Sequence, residues 1–204
     1  MPTFKVTAPD GTVMNVAGPE GATQEEAVKK AQAHYNKQVF PVDPSLPPFS
    51  PVNTTEVERV SKHLLNTFKS PSTAAALLGN ISVETGGSFD HLQKQGGGGK
   101  GRGLFQFDFM RKSYATYLGG KPDTPEAQID FVHNAIYGKK SVLGDKRAKE
   151  LRQILDSETL SAGAKALAFS NLFEQPNPAK AHNAKRSTRA EGFYKRFKAQ
   201  ENTV

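Results

Sequence analysis

Residues 40–53 (FPVDPSLPPFSPVN) divide the chain, because five of these fourteen residues are proline. Proline fixes the backbone φ angle and has no N–H, so such a segment can neither continue a helix nor pair as an interior strand. A composition of this kind is typical of a stiff, extended linker. We therefore predict a small module over residues 1–39, a linker over residues 40–53 and a larger domain over residues 54–204.

The small module reads as a β-hairpin followed by a helix. Residues 3–7 alternate apolar and polar side chains, and a DG turn signal at residues 10–11 separates them from a second run at residues 13–16. The sequence Thr23-Gln24-Glu25-Glu26 is a capping box, which predicts the start of a helix. A module of this size is too small to be stable alone, so we expect it to dock onto another surface.

The larger domain has the pattern of a mainly helical fold. Thr55-x-x-Glu58 is a second capping box, and apolar residues follow it at helical spacing. Residues 72–84 (STAAALLGNISVE) are apolar nearly all round, which predicts a buried central helix capped by Ser72. Further helices are predicted at residues 111–118, after Thr124-Pro125, at residues 145–156 and 161–173, and from Asn177-Pro178.

A short apolar run, LFQFDF at residues 104–109, follows a glycine-rich loop at residues 95–103. Its strict alternation predicts a strand, with Leu104, Gln106 and Asp108 on one face and Phe105, Phe107 and Phe109 on the other. Gln106 and Asp108 would then be available to bind hydroxyl and amide groups. The fold class is therefore α+β and mostly α: a helical domain with a short β-segment at a cleft, preceded by the hairpin-plus-helix module.

Glu84 is the first candidate for chemistry, since it ends the most hydrophobic helix of the chain. Burial disfavours a charged carboxylate, and the negative end of the helix dipole acts in the same direction, so both are expected to raise the pKa of Glu84. A carboxylic acid that stays protonated near neutral pH is what cleavage of a glycosidic bond needs, because the leaving oxygen must receive a proton. The alternative is an ordinary helix-end glutamate, solvated or paired with a lysine.

Three motifs resemble those of the lysozyme superfamily, and the phage tail lysozyme family in particular. They are LLGNISVETGGSFD at residues 77–90, KGRGLFQFDFMRKSY at residues 100–114 and FSNLFEQP at residues 169–176. Plant-type chitinases and related endolysins share a similar ETGG…GRG-x-x-Q pattern. Their order and spacing extend the resemblance over roughly residues 55–200, and the resemblance implies a lysozyme-like fold and peptidoglycan as the substrate.

The resemblance also implies roles for individual residues. Glu84 matches the general acid of the family. The implied substrate-binding residues are Gly103, Gln106 and Phe107 of the β-segment that lines the sugar cleft, Tyr114 beside the groove and Glu174 of the late motif. Two of these have a structural alternative: Tyr114 is an aromatic residue at helical spacing, which is more often part of the core, and Glu174 could be purely structural.

The chain departs from the chitinase-like pattern in one respect. Chitinase-like relatives have a second glutamate soon after the first, acting as base, whereas residues 85–103 here contain only one carboxylate, Asp90. An inverting enzyme needs two carboxyl groups flanking a water, and Asp90 or Asp108 could supply the second. Alternatively Glu84 acts alone, as in lytic transglycosylases, where a hydroxyl of the substrate closes on the sugar. Both alternatives stay open.

Composition excludes several kinds of chemistry. There is no cysteine, which excludes disulfides, thiolate catalysis and cysteine-ligated zinc. The five histidines are scattered without metal-ligand spacing, and no phosphate-loop pattern is present, so we expect no metal and no organic cofactor. No apolar run is long enough to cross a bilayer and the first residues lack a signal-peptide core, so we expect delivery to a cell wall by another agent.

The first functional hypothesis is a muramidase carried in a phage particle. FKVTAPDGTVMNVAGPEGAT at residues 4–23 resembles a module at the start of some phage internal virion proteins. Residues 1–39 would then bind other virion or tail proteins, and the enzyme, made in the host cytoplasm, would act on the cell wall in the host periplasm. The nearest alternative is an endolysin released at lysis, whose first module binds the wall.

Two further hypotheses belong to other classes. One is a non-enzymatic virion or tail protein on a degenerate lysozyme scaffold, because fold alone does not establish activity. The other is a nucleic-acid binder. The net charge is +7, and residues 179–204 contain seven Lys or Arg against two Glu, but no recognised nucleic-acid-binding motif accompanies this excess.

Overall fold

The computed structural model describes residues 1–7, 13–38, 54–96, 98–139, 141–174 and 182–201. Within these ranges the fold is α+β and mostly α, which confirms the predicted class: one two-stranded hairpin accompanies a set of helices. The predicted linker at residues 40–53 lies outside the described residues, except for none of its neighbours from Thr54 onward, where the first helix of the larger domain begins.

The first module is a hairpin packed on a helix. Strands β1 (Thr3–Thr7) and β2 (Val13–Ala17) pair antiparallel, and helix α1 (Gln24–Gln38) follows. The predicted capping box forms, since the Glu26 amide donates to Thr23 Oγ1 at 3.2 Å and the Thr23 amide donates to the Glu26 carboxylate at 2.9 Å. The three elements share a small apolar core of their own, made of Val6, Val16, Ala27 and Ala31. The predicted turn at residues 10–11 lies outside the described residues.

The larger domain is built from helices around one central helix. Its helices are α2 (Thr54–Phe68), α3 (Pro71–Glu84), α4 (Arg111–Leu118), α5 (Pro125–Tyr137), α6 (Asp145–Leu155), α7 (Ala162–Phe169) and α8 (Asn183–Glu201). Helix α3 packs against α2, α7 and α8. None of the described helices is both long and apolar enough to cross a membrane.

Helix α3 is the predicted buried helix, and every residue from Thr73 to Ser82 is buried. Its cap is Ser70, whose hydroxyl accepts from the Thr73 amide at 3.3 Å, so the predicted cap at Ser72 was wrong. The reason is Pro71, because proline suits the first helical position, where no N–H is needed. Gly79 lets α8 approach closely, since a Cβ there would lie 2.8 Å from the Ala190 Cβ.

The predicted strand at residues 104–109 was wrong. The chain forms turns there, and the β-segment is reduced to a single bridge between Lys94 and Arg102. Positive φ angles at Gly103 (81°) and Gln106 (46°) turn the backbone, so side chains do not alternate between two faces. Leu104, Phe105 and Phe107 are all buried, whereas Phe109 is exposed.

The last elements supply two residues of the site. Helix α7 begins at the predicted cap Ser161, and the chain continues beyond its end as a π-helical segment, Ser170–Glu174. Helix α8 begins at Asn183, directly after His182, which has a φ of 50°. The predicted start of this helix at residues 177–178 lies outside the described residues.

Candidate active site

Glu84 lies at the C-terminal end of α3, where the sequence places it. The helix ends here because the chain turns away at Gly86 and Gly87, with φ angles of 60° and 93° that glycine adopts without strain. Thr85 closes the last turn by donating both its amide and its hydroxyl to the Ile81 carbonyl, at 2.9 and 2.7 Å. The Glu84 side chain is 18% exposed, so a mostly buried carboxyl group still reaches the surface.

Arg186 on α8 joins Glu84 to Glu174. Its guanidinium is 2% exposed and donates to the Glu84 carboxylate, to Glu174 Oε2 at 2.6 Å and to Asn80 Oδ1 at 2.8 Å. Glu174 ends the π-helical segment, and its side chain is 6% exposed. The structure therefore brings together two predicted site residues, from distant motifs, in what we call the Glu84–Arg186–Glu174 cluster.

Asn80 holds the guanidinium in place. Its side-chain amide donates to the carbonyl oxygens of Ala76 at 3.0 Å and Ala166 at 2.9 Å, which fixes the orientation of the amide group. The Asn80 Oδ1 atom is thereby directed at Arg186. Because helices α3, α7 and α8 all contribute to these contacts, the cluster is part of the packing of the central helix.

The electrostatics of the cluster favour one shared proton. Burial raises the pKa of Glu174; the Arg186 guanidinium opposes this rise and the Glu84 carboxylate adds to it. Burial lowers the pKa of Arg186, but the two carboxylates outweigh that effect, so the guanidinium stays charged. Two carboxyl groups beside one cation reach zero net charge when they hold one proton between them. The sequence had predicted apolar surroundings for Glu84, and the guanidinium replaces them.

Asp90, Gly103 and Gln106 have roles in the loop that follows α3. Asp90 is exposed, and its Oδ1 accepts from the Leu92 amide at 2.8 Å. Gln106 Nε2 donates to the Gly103 carbonyl at 2.8 Å, while its Oε1 is buried and has no hydrogen-bond partner within the described part of the chain. Gly103 packs against Gln128, whose Oε1 would be 2.4 Å from a Cβ at this position. Catalytic and binding roles for these residues stay predictions.

Phe107, Asp108 and Tyr114 share a cavity of about 700 Å³ whose lining does not include Glu84. Phe107 is buried, and its ring lies 5.0 Å from that of Tyr114 and 5.4 Å from that of Phe131, between centroids. The Tyr114 hydroxyl donates to Asp123 at 2.5 Å, and burial followed by this contact raises the pKa of Tyr114. Phe107 and Tyr114 are thus core residues as well as cavity walls, and the predicted site falls into two parts.

Sequence reasoning missed Arg186, although a signal was present. Arg186, Ala190, Phe193 and Phe197 recur at helical spacing, and all four are buried on one face of α8. An arginine on an apolar face needs an acidic partner, because an unpaired buried charge is costly. The basic composition of residues 179–204 directed the interpretation toward a solvated helix instead.

The fold and the cluster define a mostly helical domain with an acidic residue held at the end of its buried central helix. Residues 56–197 match the family described as phage tail lysozyme, so the chain belongs to that family. The match spans the three motifs that carried the resemblance and confirms it. No curated protein and no solved structure matched the chain.

Proposed function

We propose that this protein is a lysozyme-type glycosidase that cleaves the glycan strands of bacterial peptidoglycan, with Glu84 as the proton donor. The observation that carries the proposal is the position of the Glu84 carboxyl group. It reaches the surface at the end of a buried helix, and a buried guanidinium holds it there. Membership of the phage tail lysozyme family supports the same chemistry.

The cluster can supply the proton that the reaction needs. A glycosidic bond breaks when an acid protonates the leaving oxygen as positive charge develops on the sugar ring. The buried Glu174 and the partly exposed Glu84 compete for Arg186, so the proton of the neutral cluster can reside on either carboxyl group. Only Glu84 is placed to pass it to a substrate, since Glu174 is nearly inaccessible.

The second half of the reaction has two candidate forms. In hydrolysis a second carboxylate activates a water, and the exposed Asp90 and Asp108 are the predicted candidates. In a lytic transglycosylase a hydroxyl of the substrate closes on the sugar, so no second carboxylate is needed. The inaccessibility of Glu174 favours considering this second form, and the products distinguish the two: new reducing ends for hydrolysis, 1,6-anhydro ends for the transglycosylase.

The test is degradation of purified Gram-negative peptidoglycan, with mass spectrometry of the products. We expect wild type to release muropeptides and Glu84→Gln to release none, because the amide cannot donate a proton in the same way. Glu58→Gln, a matched change of an exposed glutamate on α2, should retain full activity. Full activity of Glu84→Gln would refute the catalytic assignment, and inactive wild type that still binds glycan would favour the non-enzymatic scaffold.

The N-terminal module supports carriage of the enzyme in a phage particle. It has its own apolar core, and residues 1–39 contain four Lys against four acidic residues, so this part is neutral within a basic protein. We assign to it the binding of another virion or tail protein. Mass spectrometry of purified particles tests this assignment, which fails if the protein is found only in the lysate.

A further inference from the structure

The cavity beside the cluster carries an excess of positive charge. Its lining includes four cationic side chains, Lys100, Arg102, Arg111 and Lys112, against the carboxylates of Asp108 and Asp123. Asp123 is already engaged, because it accepts from Tyr114 at 2.5 Å and from Gln128 at 2.9 Å. Within the described part of the chain none of the four cations forms an ion pair.

The same cavity offers apolar surface. Phe109 is 56% exposed at its edge, and the rings of Phe107 and Tyr114 together with Leu118 form its wall. A large apolar side chain exposed beside unpaired cations is suited to a ligand with both apolar and anionic groups. A volume of about 700 Å³ is large enough for a short peptide.

The loop after α3 connects this cavity to Glu84. Ser88 Oγ donates to the Thr85 carbonyl at 3.0 Å and to Gln93 Oε1 at 2.5 Å. The Gln93 carbonyl in turn accepts from the Gly103 amide at 2.9 Å, which leads directly into the segment that carries Phe107. A continuous set of hydrogen bonds thus fixes the cavity wall relative to the end of the catalytic helix.

We propose that this cavity binds the carboxylate-bearing peptide that peptidoglycan carries on its glycan strand. The inference rests on the proposed function, since it assigns the peptide part of the same substrate to a site distinct from Glu84. Arg111 and Lys112 contact the carboxylates, and Phe109 packs against the alanine and methylene groups. A bare glycan lacks these groups, so the cavity makes the enzyme selective for walls whose peptides are intact.

Isothermal titration calorimetry with the free peptide L-alanyl-γ-D-glutamyl-meso-diaminopimelate tests this site without any turnover. We expect binding to wild type and to Glu84→Gln, and about tenfold weaker binding to Arg111→Gln/Lys112→Gln, which corresponds to about 1.4 kcal/mol. Both side chains are exposed, so the fold should be retained. The control Lys146→Gln/Lys149→Gln removes the same charge from exposed positions on α6 and should bind as wild type does.

The remaining arms identify the ligand chemistry. The peptide with its carboxyl groups amidated should bind at least tenfold more weakly than the acid. Equal binding of the cavity variant and wild type, or no binding by wild type, would overturn the proposal. Displacement of the peptide by an equal concentration of inorganic phosphate would also overturn it, in favour of a phosphate polymer. Because Glu84→Gln is expected to bind the peptide, failure of the catalytic assignment and failure of this site give different results.

Discussion

Replacement of Arg186 by methionine tests the physical basis of the site most directly. The substitution removes the guanidinium but keeps an unbranched side chain of similar length in a position that is 2% exposed. It leaves Glu174 buried without its counter-ion and takes one donor from Asn80. Glu84 is affected less, since its carboxyl group is partly hydrated.

The expected loss of stability follows from these contacts. Removing one partner of a buried ion pair costs about 3–5 kcal/mol, because the other charge remains buried. Glu174 can avoid this cost by taking up a proton, so the loss depends on pH. Protonation becomes more costly by about 1.4 kcal/mol per pH unit above the pKa of the group. We therefore expect a loss of about 3–5 kcal/mol at pH 8, and a smaller loss at pH 5.

The sign of this dependence follows from the direction of the shift. Burial raises the pKa of Glu174 above its ordinary value of 4.5, so the folded state binds more protons than the unfolded state above that pH. The contribution of Glu174 to stability is fully present below pH 4.5 and is lost as pH rises through the folded-state pKa. Without Arg186 the pKa rises further, which makes the decline steeper.

Urea unfolding at pH 5, 6.5 and 8 measures this effect, with Glu174→Gln and the double variant Arg186→Met/Glu174→Gln alongside. The double variant has no unpaired buried charge, so it should recover at least about 2 kcal/mol relative to Arg186→Met at pH 8. A loss in Arg186→Met that is the same at all three pH values, or that Glu174→Gln does not relieve, would refute the reasoning. Either result would mean that packing around Arg186, and not its charge, stabilises the domain.

Two further predictions concern the scaffold. Burial lowers the pKa of Lys165 to about 8, so above that pH the folded state has released a proton that the unfolded state keeps; stability should rise by about 1–2 kcal/mol from pH 8 to 9.5, and Lys165→Met but not the exposed Lys149→Met should abolish this rise in urea unfolding. Gly103→Ala combines a φ of 81° with a Cβ only 2.4 Å from Gln128, so it should cost roughly 2–4 kcal/mol in the same assay, whereas Gly120→Ala, with a φ of 86° and open space around it, should cost roughly 1–2 kcal/mol. Equal losses at the two glycines would show that the contact with Gln128 is not tight.

The elements that could be predicted are those whose signals are local. The cap at Thr124 with Pro125 at the first helical position predicted the start of α5, and the Thr124 hydroxyl accepts from the Ala127 amide at 3.1 Å. The apolar composition of α3 predicted its burial, because a helix without a polar face has no side to present to water. Propensity, capping and periodicity act within one element, so one sequence suffices to detect them.

The segment at residues 104–109 shows where local patterns fail. Its alternation of apolar and polar residues is the pattern of a strand, but no neighbouring strand is present to accept its hydrogen bonds within the described residues. The Leu104 amide donates to Gln128 instead, at 2.8 Å, and Gly103 turns the chain immediately before it. A strand is stable only in a sheet, so tertiary contacts override the pattern.

The cluster combines both situations. Glu84 and Glu174 could be found from motifs, but their relationship depends on Arg186, which is 102 residues beyond Glu84 in sequence. That contact changes the chemical argument: the acid is not isolated in an apolar pocket, and its protonation is set by a charge balance that includes a second carboxyl group. A variant of Glu174 is therefore expected to shift the pH profile of glycan cleavage even though Glu174 touches no substrate. The activity of Glu84 is then a property of three helices packed together, not of the helix end alone.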